Sequence, residues 1–278
     1  MRLWHSRSLV GLGALLLGVL AGSLQGDDTR LVFISVGQGD SAVLEQGGEA
    51  ILIDDGPGTP EANAGEKLVL PKLRSLGVDT VEAIFLSHPD EDHVGGTPAV
   101  LSVFPEAKLV ISDQYENDPA MQRHLASWNV PVSSVCWLPL DDSFQFGAFT
   151  AKIVCPDLAM GAKDNDGSMF VHIACNRASA MFSGDAPASV EKAMEPVGGW
   201  SSEILKVGHH GSRTATDESW IQTVRPRYAV ISVGRNNHYG HPNQEVLDRL
   251  QRDGVETLRT DQLGDIEFDF DGETFVRK

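Results

Sequence analysis

The sequence predicts an α/β fold in which two sheets pack face to face beneath helical layers. Three observations predict it. Short β-like runs begin near residue 31, a β-rich stretch occupies the middle, and strands alternate with helices in the last third. Two β-rich halves that each carry helices bury their apolar faces by packing on one another. The chain has 278 residues, 41% of them hydrophobic, which is enough for a substantial core. Charged residues are 22%, with Gly and Pro scattered, so nothing suggests disorder, collagen or a coiled coil. The formal net charge of -17 argues against a long nonspecific DNA-binding face, though a small basic pocket remains open.

Residues 1–25 read as a signal peptide or N-terminal anchor. Arg2, His5 and Arg7 form a positive start, Leu9 to Leu20 an apolar run, and Ala21, Gly22 and Ser23 a small-residue cleavage zone. Ser23 stands where a lipoprotein signal would need Cys. The run is somewhat short for a full membrane span, so cleavage and export to the periplasm or the medium is the expected outcome. Later segments are too short in apolar residues to cross a membrane, so no integral membrane channel is expected in this chain.

Residues 30–278 read as one domain. Leu31 to Val36, Ala42 to Leu44 and Ile51 to Ile53 predict strands, with Gly47-Gly48 as a hairpin signal. Leu68, Leu73 and Leu76 mark a helix, and Val81 to Leu86 a strand. Thr97-Pro98 predicts a helix start with Thr97 as N-cap. Leu109 to Ile111, Met121 to Trp128 and Val132 to Trp137 alternate strand, helix and strand. Phe144 to Phe146, Phe149 to Val154, Met169 to Ala174 and Ala180 to Ser183 are β-rich. Ile204 to Val207 and Tyr228 to Val233 predict strands, Trp220 to Val224 and Val246 to Leu250 helices. Strands near Val255, Ile266 to Phe270 and Phe275 close the chain. Cys155 and Cys175 sit in apolar runs and read as buried free thiols. With Cys136 the count is three, so one disulfide stays possible and at least one thiol is left unpaired within the chain.

The strongest chemical signal is Ser87-His88-Pro89-Asp90-Glu91-Asp92-His93-Val94-Gly95-Gly96. Four candidate metal ligands, His88, Asp90, Asp92 and His93, fall within six residues at the end of an apolar strand. Pro89 favours extended backbone at His88, so His88 and Asp90 face one side and can share an ion. Asp92 and His93 lie where they can turn toward a second, and Gly95-Gly96 allow a tight bend. Ser183-Gly184-Asp185 offers a carboxylate suited to bridging two cations. Lys206 to Ser212 adds His209 and His210 after another apolar strand.

In this order the motifs resemble the metallo-β-lactamase superfamily, and most of all the hydrolase domain of ComEC-type DNA-internalisation competence proteins. Val36 to Ser41 is similar to that group's opening signature, Ile51 to Asp54 to its next strand, and Ile231 to Pro242 to its last motif. The resemblance implies an αββα four-layer sandwich and two divalent metal ions, Zn²⁺ or Mn²⁺. It implies His210 as a ligand and His209 as the group that reaches the substrate; the reverse division stays open. Asp92, Asp185 and His209 are then the catalytic set, with Asp40, Asp54 and Asn165 orienting the ligands. Ser212, Arg213, Asn236 and His241 are expected at the substrate. Asp90 stands where the common pattern has His, and Lys163 to Ser168 has no His where the superfamily has one. Both departures add oxygen donors and favour Mn²⁺ or Mg²⁺ more than a His-rich shell would.

Between Ile204 and Asn243 the basic residues Lys206, Arg213, Arg225, Arg227 and Arg235 face only Asp217 and Glu218. This excess is expected beside the His motifs, where it suits an anionic phosphodiester such as single-stranded DNA or RNA. Two other readings stay open: a hydrolase of another ester, lactone or β-lactam, and a non-catalytic binding module with a degenerate site.

Overall fold

The computed structural model describes residues 29–59, 62–157 and 164–278. The N-terminal segment read as a signal lies outside them. In chain order the strands are β1 (Arg30–Phe33), β2 (Ser41–Gln46), β3 (Glu49–Asp55), β4 (Thr80–Leu86), β5 (Lys108–Ser112), β6 (Cys136–Leu138), β7 (Asp141–Phe146) and β8 (Phe149–Val154). They continue as β9 (Phe170–Cys175), β10 (Ala178–Phe182), β11 (Ile204–Lys206), β12 (Tyr228–Ile231), β13 (Glu256–Arg259), β14 (Ile266–Phe270) and β15 (Phe275–Arg277). The helices are α1 (Leu70–Leu76), α2 (Glu91–Val94), α3 (Thr97–Val103), α4 (Pro119–Ser127), α5 (Ala188–Met194), α6 (Glu218–Val224), α7 (Gln244–Arg252) and α8 (Thr260–Leu263).

One sheet runs β15-β14-β1-β2-β3-β4-β5-β6 and the other β13-β12-β11-β10-β9-β8-β7. Each is mixed. In the first, β3 to β6 are parallel and the rest antiparallel; in the second, β10 to β13 are parallel. Strand periodicity of two explains the four layers. Leu31, Phe33, Leu44, Ile51 and Phe85 meet Phe149, Ile173, Ala180 and Phe182 between the sheets. Val32, Val43, Leu52 and Ile84 turn the other way onto Leu70, Leu73, Val100 and Met121 of the helices. On the outer face of the second sheet, Met181 and Leu205 pack on Val190, Met194 and Trp220, while Ala229 and Ile231 pack on Val246 and Leu250. The expected αββα sandwich is therefore the observed one. The parallel strands of both sheets end at one edge of the sandwich, where loops are free to carry functional side chains.

Several local expectations are corrected. The first strand stops at Phe33, because the chain then turns away to carry the Val36–Ser41 loop. Val132–Ser134 is a one-turn helix rather than strand, and only Cys136–Leu138 pairs with β5. Thr97 is the first helical residue, not the cap, and its hydroxyl instead donates to Asp55 Oδ2 (2.9 Å). Helix α5 has no counterpart among the expected elements. All three cysteines are free thiols; Cys155 is buried, while Cys175, at the end of β9, is only half-buried. Among the described residues no helix is long and apolar enough to cross a membrane.

Candidate metal centre

β4 is apolar and buried from Ala83 to Leu86, so the chain leaves the sheet already committed in direction at Ser87 and His88. Asp90 stays extended (φ -68, ψ 141) and caps α2, whose first turn swings Asp92 and His93 inward. His88 Nε2 lies 3.5 Å from Asp90 Oδ2, the same-side pairing that extended backbone predicts. Gly95 and Gly96 do not make the expected bend: both are right-handed helical (φ -63 and -77). They are needed for closeness. A Cβ on Gly95 would stand 2.1 Å from the Gly58 nitrogen, and one on Gly96 2.0 Å from the Asp55 oxygen.

Asp54, at the end of β3, holds the two imidazoles of this loop. Its backbone is left-handed (φ 56), a conformation that a non-glycine residue keeps only where its surroundings enforce it. It accepts from the Ser87 N–H and the Ser87 hydroxyl (2.8 Å each) and from the Nδ1–H of His93 (2.8 Å). The Ser87 oxygen in turn accepts from the Nδ1–H of His88 (2.9 Å). A carboxylate can only accept, so this chain sets both rings with Nε2 turned inward and free. Ser87 was not singled out by the sequence reading; its place before His88 was the only clue.

The second sheet supplies the other half. Asp185 follows β10 through Gly184, whose left-handed backbone (φ 52) packs against Ser87. His209 and His210 follow β11 in a tight turn, both left-handed (φ 47 and 52). His210 Nδ1 donates to the Ser232 carbonyl (3.0 Å). Its Nε2 lies 3.1 Å from Asp92 Oδ2 and 3.5 Å from Asp185 Oδ2. Asp185 Oδ1 lies 3.3 Å from His93 Nε2, and Oδ2 3.6 Å from His209 Nε2.

Asp40, His93, Asp185 and His210 offer ligating atoms within 4.8 Å of one another. Asp40 nonetheless faces the Nδ1 side of His210 (3.3 Å) and of His93 (3.7 Å) and pairs with the buried Lys206 ammonium. Its carboxylate thus meets a lysine and the Nδ1 side of the rings, while the Nε2 side meets Asp92 and Asp185. The turn before Asp40 is pinned: its N–H donates to the Asp92 carbonyl (3.1 Å), and a Cβ on Gly39 would lie 2.3 Å from that oxygen.

The electrostatics demand positive charge. Burial works to raise Asp185, but His210 and His93 outweigh it and hold its carboxyl well below the usual range. Burial likewise opposes a charged His210, yet the Asp185 and Asp40 carboxylates push it up to about 10. The buried His88 Nε2, His93 Nε2 and Asp185 Oδ1 have no hydrogen-bond partner. Convergent, unpartnered nitrogen and carboxylate donors in a negative pocket fit a divalent cation.

The remaining expectations divide. His241 stands edge-on to His209, centroids 5.8 Å apart, with its Nδ1 unpartnered. Arg213 is exposed on the turn just beyond His210. Ser212 spends its hydroxyl on Thr214 Oγ1 (2.9 Å) within its own loop. Asn236 is exposed and left-handed (φ 56), and Asn165 bonds through its backbone carbonyl to Ser168; among the described residues neither side chain has a hydrogen bond to the candidate ligands. Tyr239, 72% exposed and stacked on His241 (5.7 Å), was missed, since a lone Tyr in a polar loop carries no periodic signal. The basic excess is only partly gathered beside the His motifs, where Lys206 and Arg213 lie. Lys206 is buried on Asp40, and Arg225 and Arg227 precede β12, at the opposite end of the sheet.

The model of the metallo-beta-lactamase superfamily matches residues 34–235. ComE operon protein 3 of Bacillus subtilis is 32% identical over 251 residues, covering 84% of this chain and 32% of that protein. Recombination protein 2 of Haemophilus influenzae is 31% identical over 219 residues, covering 79% of this chain and 26% of that protein. The chain thus spans a third or less of the length of these relatives, which are ComEC-type competence proteins. Among solved structures, Igni18, a metallo hydrolase of Ignicoccus hospitalis, superposes with a TM-score of 0.58 at 13% identity, over 87% of this chain and 100% of that one.

Proposed function

Since the chain belongs to the metallo-beta-lactamase superfamily, we propose that it hydrolyses phosphodiester bonds, single-stranded nucleic acid first, with two divalent ions. The observation that carries this reading is Asp185, whose Oδ1 faces His93 while its Oδ2 faces both His210 and His209. Asp92, His93 and His210 would hold one ion and His88 with Asp90 the other, with Asp185 between them. Bound divalent ions lower the pKa of a water to near neutrality and offset charge on phosphoryl oxygens. Asp54 and Asp40 keep the rings aimed before substrate arrives. Burial holds His209 below the ordinary histidine range, so it is neutral near pH 7 and meets a phosphoryl or leaving oxygen as a hydrogen-bonding group. Arg213 offers its guanidinium to a flanking phosphate. The competence relatives favour DNA over other diesters. Export, read from residues 1–25, would put the activity outside the cytoplasm.

The test is hydrolysis of a single-stranded oligonucleotide and of bis-p-nitrophenyl phosphate by Mn²⁺- or Zn²⁺-loaded protein. Chelator should abolish it, and Asp92→Ala or Asp185→Ala should cost more than about 100-fold with the fold retained, since outer-shell losses alone reach that size. Loaded protein that opens a lactone or β-lactam and leaves both diesters intact overturns the assignment.

A further inference from the structure

A polar cleft of about 580 Å³ opens where β10, β11 and β12 begin, at the end of the second sheet opposite the metal centre. The two sites are separated by the length of β10, five residues or roughly 16 Å. Arg177, Arg225 and Arg227 line the cleft, all exposed and none ion-paired among the described residues. Arg30, Arg249, Arg252, Arg259 and Arg277 each have a carboxylate partner, while Arg74, Arg123, Arg213 and Arg235 have none among the described residues; what sets these three apart is that one cleft gathers them. The one acid lining the cleft, Glu203, spends Oε2 on the Phe275 N–H (2.9 Å).

The arginines are also held. Arg227 lies 4.8 Å over the Tyr228 ring, and the backbone of Arg225 is fixed at the left-handed cap of α6 (φ 52), its main-chain N–H donating to the Ile221 carbonyl (2.7 Å). Ser179 accepts from the Glu203 N–H (3.0 Å), which leaves its own hydroxyl free to donate. His172, on the cleft wall, has a buried Nε2 without a partner. Three guanidinium groups brought together in a chain of net charge -17, with hydroxyl donors between them, match the planar, multidentate recognition of phosphate. The volume suits a ligand of nucleotide size.

We infer that this cleft is a second binding site, independent of the metal centre, that takes the phosphate groups of a free nucleotide or of a nucleic-acid strand. It stands whether or not the metal centre cuts diesters.

The experiment uses the mature chain in excess chelator, where hydrolysis is off. Fluorescence anisotropy follows a labelled single-stranded oligonucleotide, and calorimetry follows a nucleoside triphosphate. Binding of at least one probe is expected, unchanged in Asp185→Ala and weakened about tenfold or more by Arg177→Ala with Arg227→Ala. The log–log salt slope should fall by about one per phosphate contact removed. Triphosphate binding alone assigns the cleft to free nucleotides, and oligonucleotide binding alone to a strand. Both arginines are exposed, so the double variant should keep its melting temperature, and the corresponding pair of Arg→Lys changes should recover part of the affinity. Failure of both probes to bind overturns the inference. So does binding that survives Arg177→Ala with Arg227→Ala and is lost in Arg213→Ala at the metal end.

Discussion

Glu191, on α5, is fully buried; its Oε2 accepts the Thr216 N–H (2.7 Å) beyond the His209-His210 turn, and its Oε1 has no partner. A Cβ on Gly208 would stand 3.1 Å from that Oε1, so the carboxyl lies directly under the turn. Burial pushes the carboxyl up to about 8 from its ordinary 4.5. Between those values the folded chain keeps a proton that the unfolded chain releases. The unfolded state binds fewer protons, so stability falls as pH rises through this window and levels off above about pH 8. Asp55, which burial raises to about 7, adds a slope of the same sign ending one unit lower. Glu191→Gln should remove its share, up to ~1.4 kcal/mol per pH unit. Urea unfolding of chelated protein at pH 5, 7 and 8 checks it, and an unchanged pH slope in the variant refutes it. A glutamate in a short amphipathic pattern looks like a surface residue until its neighbours are known, so the sequence could not announce Glu191. His88, Asp90, Asp92 and His93 were legible because their spacing and the strand before them are local facts.

At the scale of elements, the His88–His93 loop is held by backbone packed on backbone. The Gly96 N–H donates to the Gly56 carbonyl (2.9 Å), and α3 starts directly after it. Gly96→Ala would drive a methyl into the Asp55 carbonyl at the end of β3, where little can move. A loss of about 3 kcal/mol is expected, seen as a melting temperature lower by roughly 6–12 °C. Metal affinity should fall with it, because Asp55 adjoins Asp54 and the displaced strand end carries the group that orients His88 and His93. Calorimetry of the variant with wild-type melting would exclude close packing as the reason for the glycine. Most strands were legible from apolar alternation and turn residues. Val132–Ser134 was misread because Val-rich segments satisfy strand and one-turn helix alike, and the sheet had room there for only three paired residues of β6.

For the whole molecule, the centre joins the ends of both sheets, so a cation bound there ties the two halves together. Asp92 and His93 come from the first sheet's side, Asp185 and His210 from the second. Elemental analysis after reconstitution should find two divalent ions per chain. Ions at about 1,000 times their dissociation constant add roughly 4 kcal/mol per site, so melting should rise by on the order of 10 °C or more over chelated protein. Persistent absence of metal, or identical melting with and without it, would leave the site without its cation. By itself the sequence determined what depends on neighbours along the chain: the alternation that makes strands, the ligand cluster at a strand end, the motif order that marks the superfamily, and the acidic balance. Tertiary structure alone decided which nitrogen of each histidine faces the centre, why Gly95 and Gly96 are glycine, and which side of the rings Asp40 meets. It also parted the arginines between opposite ends of one sheet. These depend on contacts such as Ser87 with Asp54, 33 residues apart, and His210 with Asp92, 118 apart. Such contacts exist only once burial has assembled the two sheets, and no spacing along the chain encodes their distances.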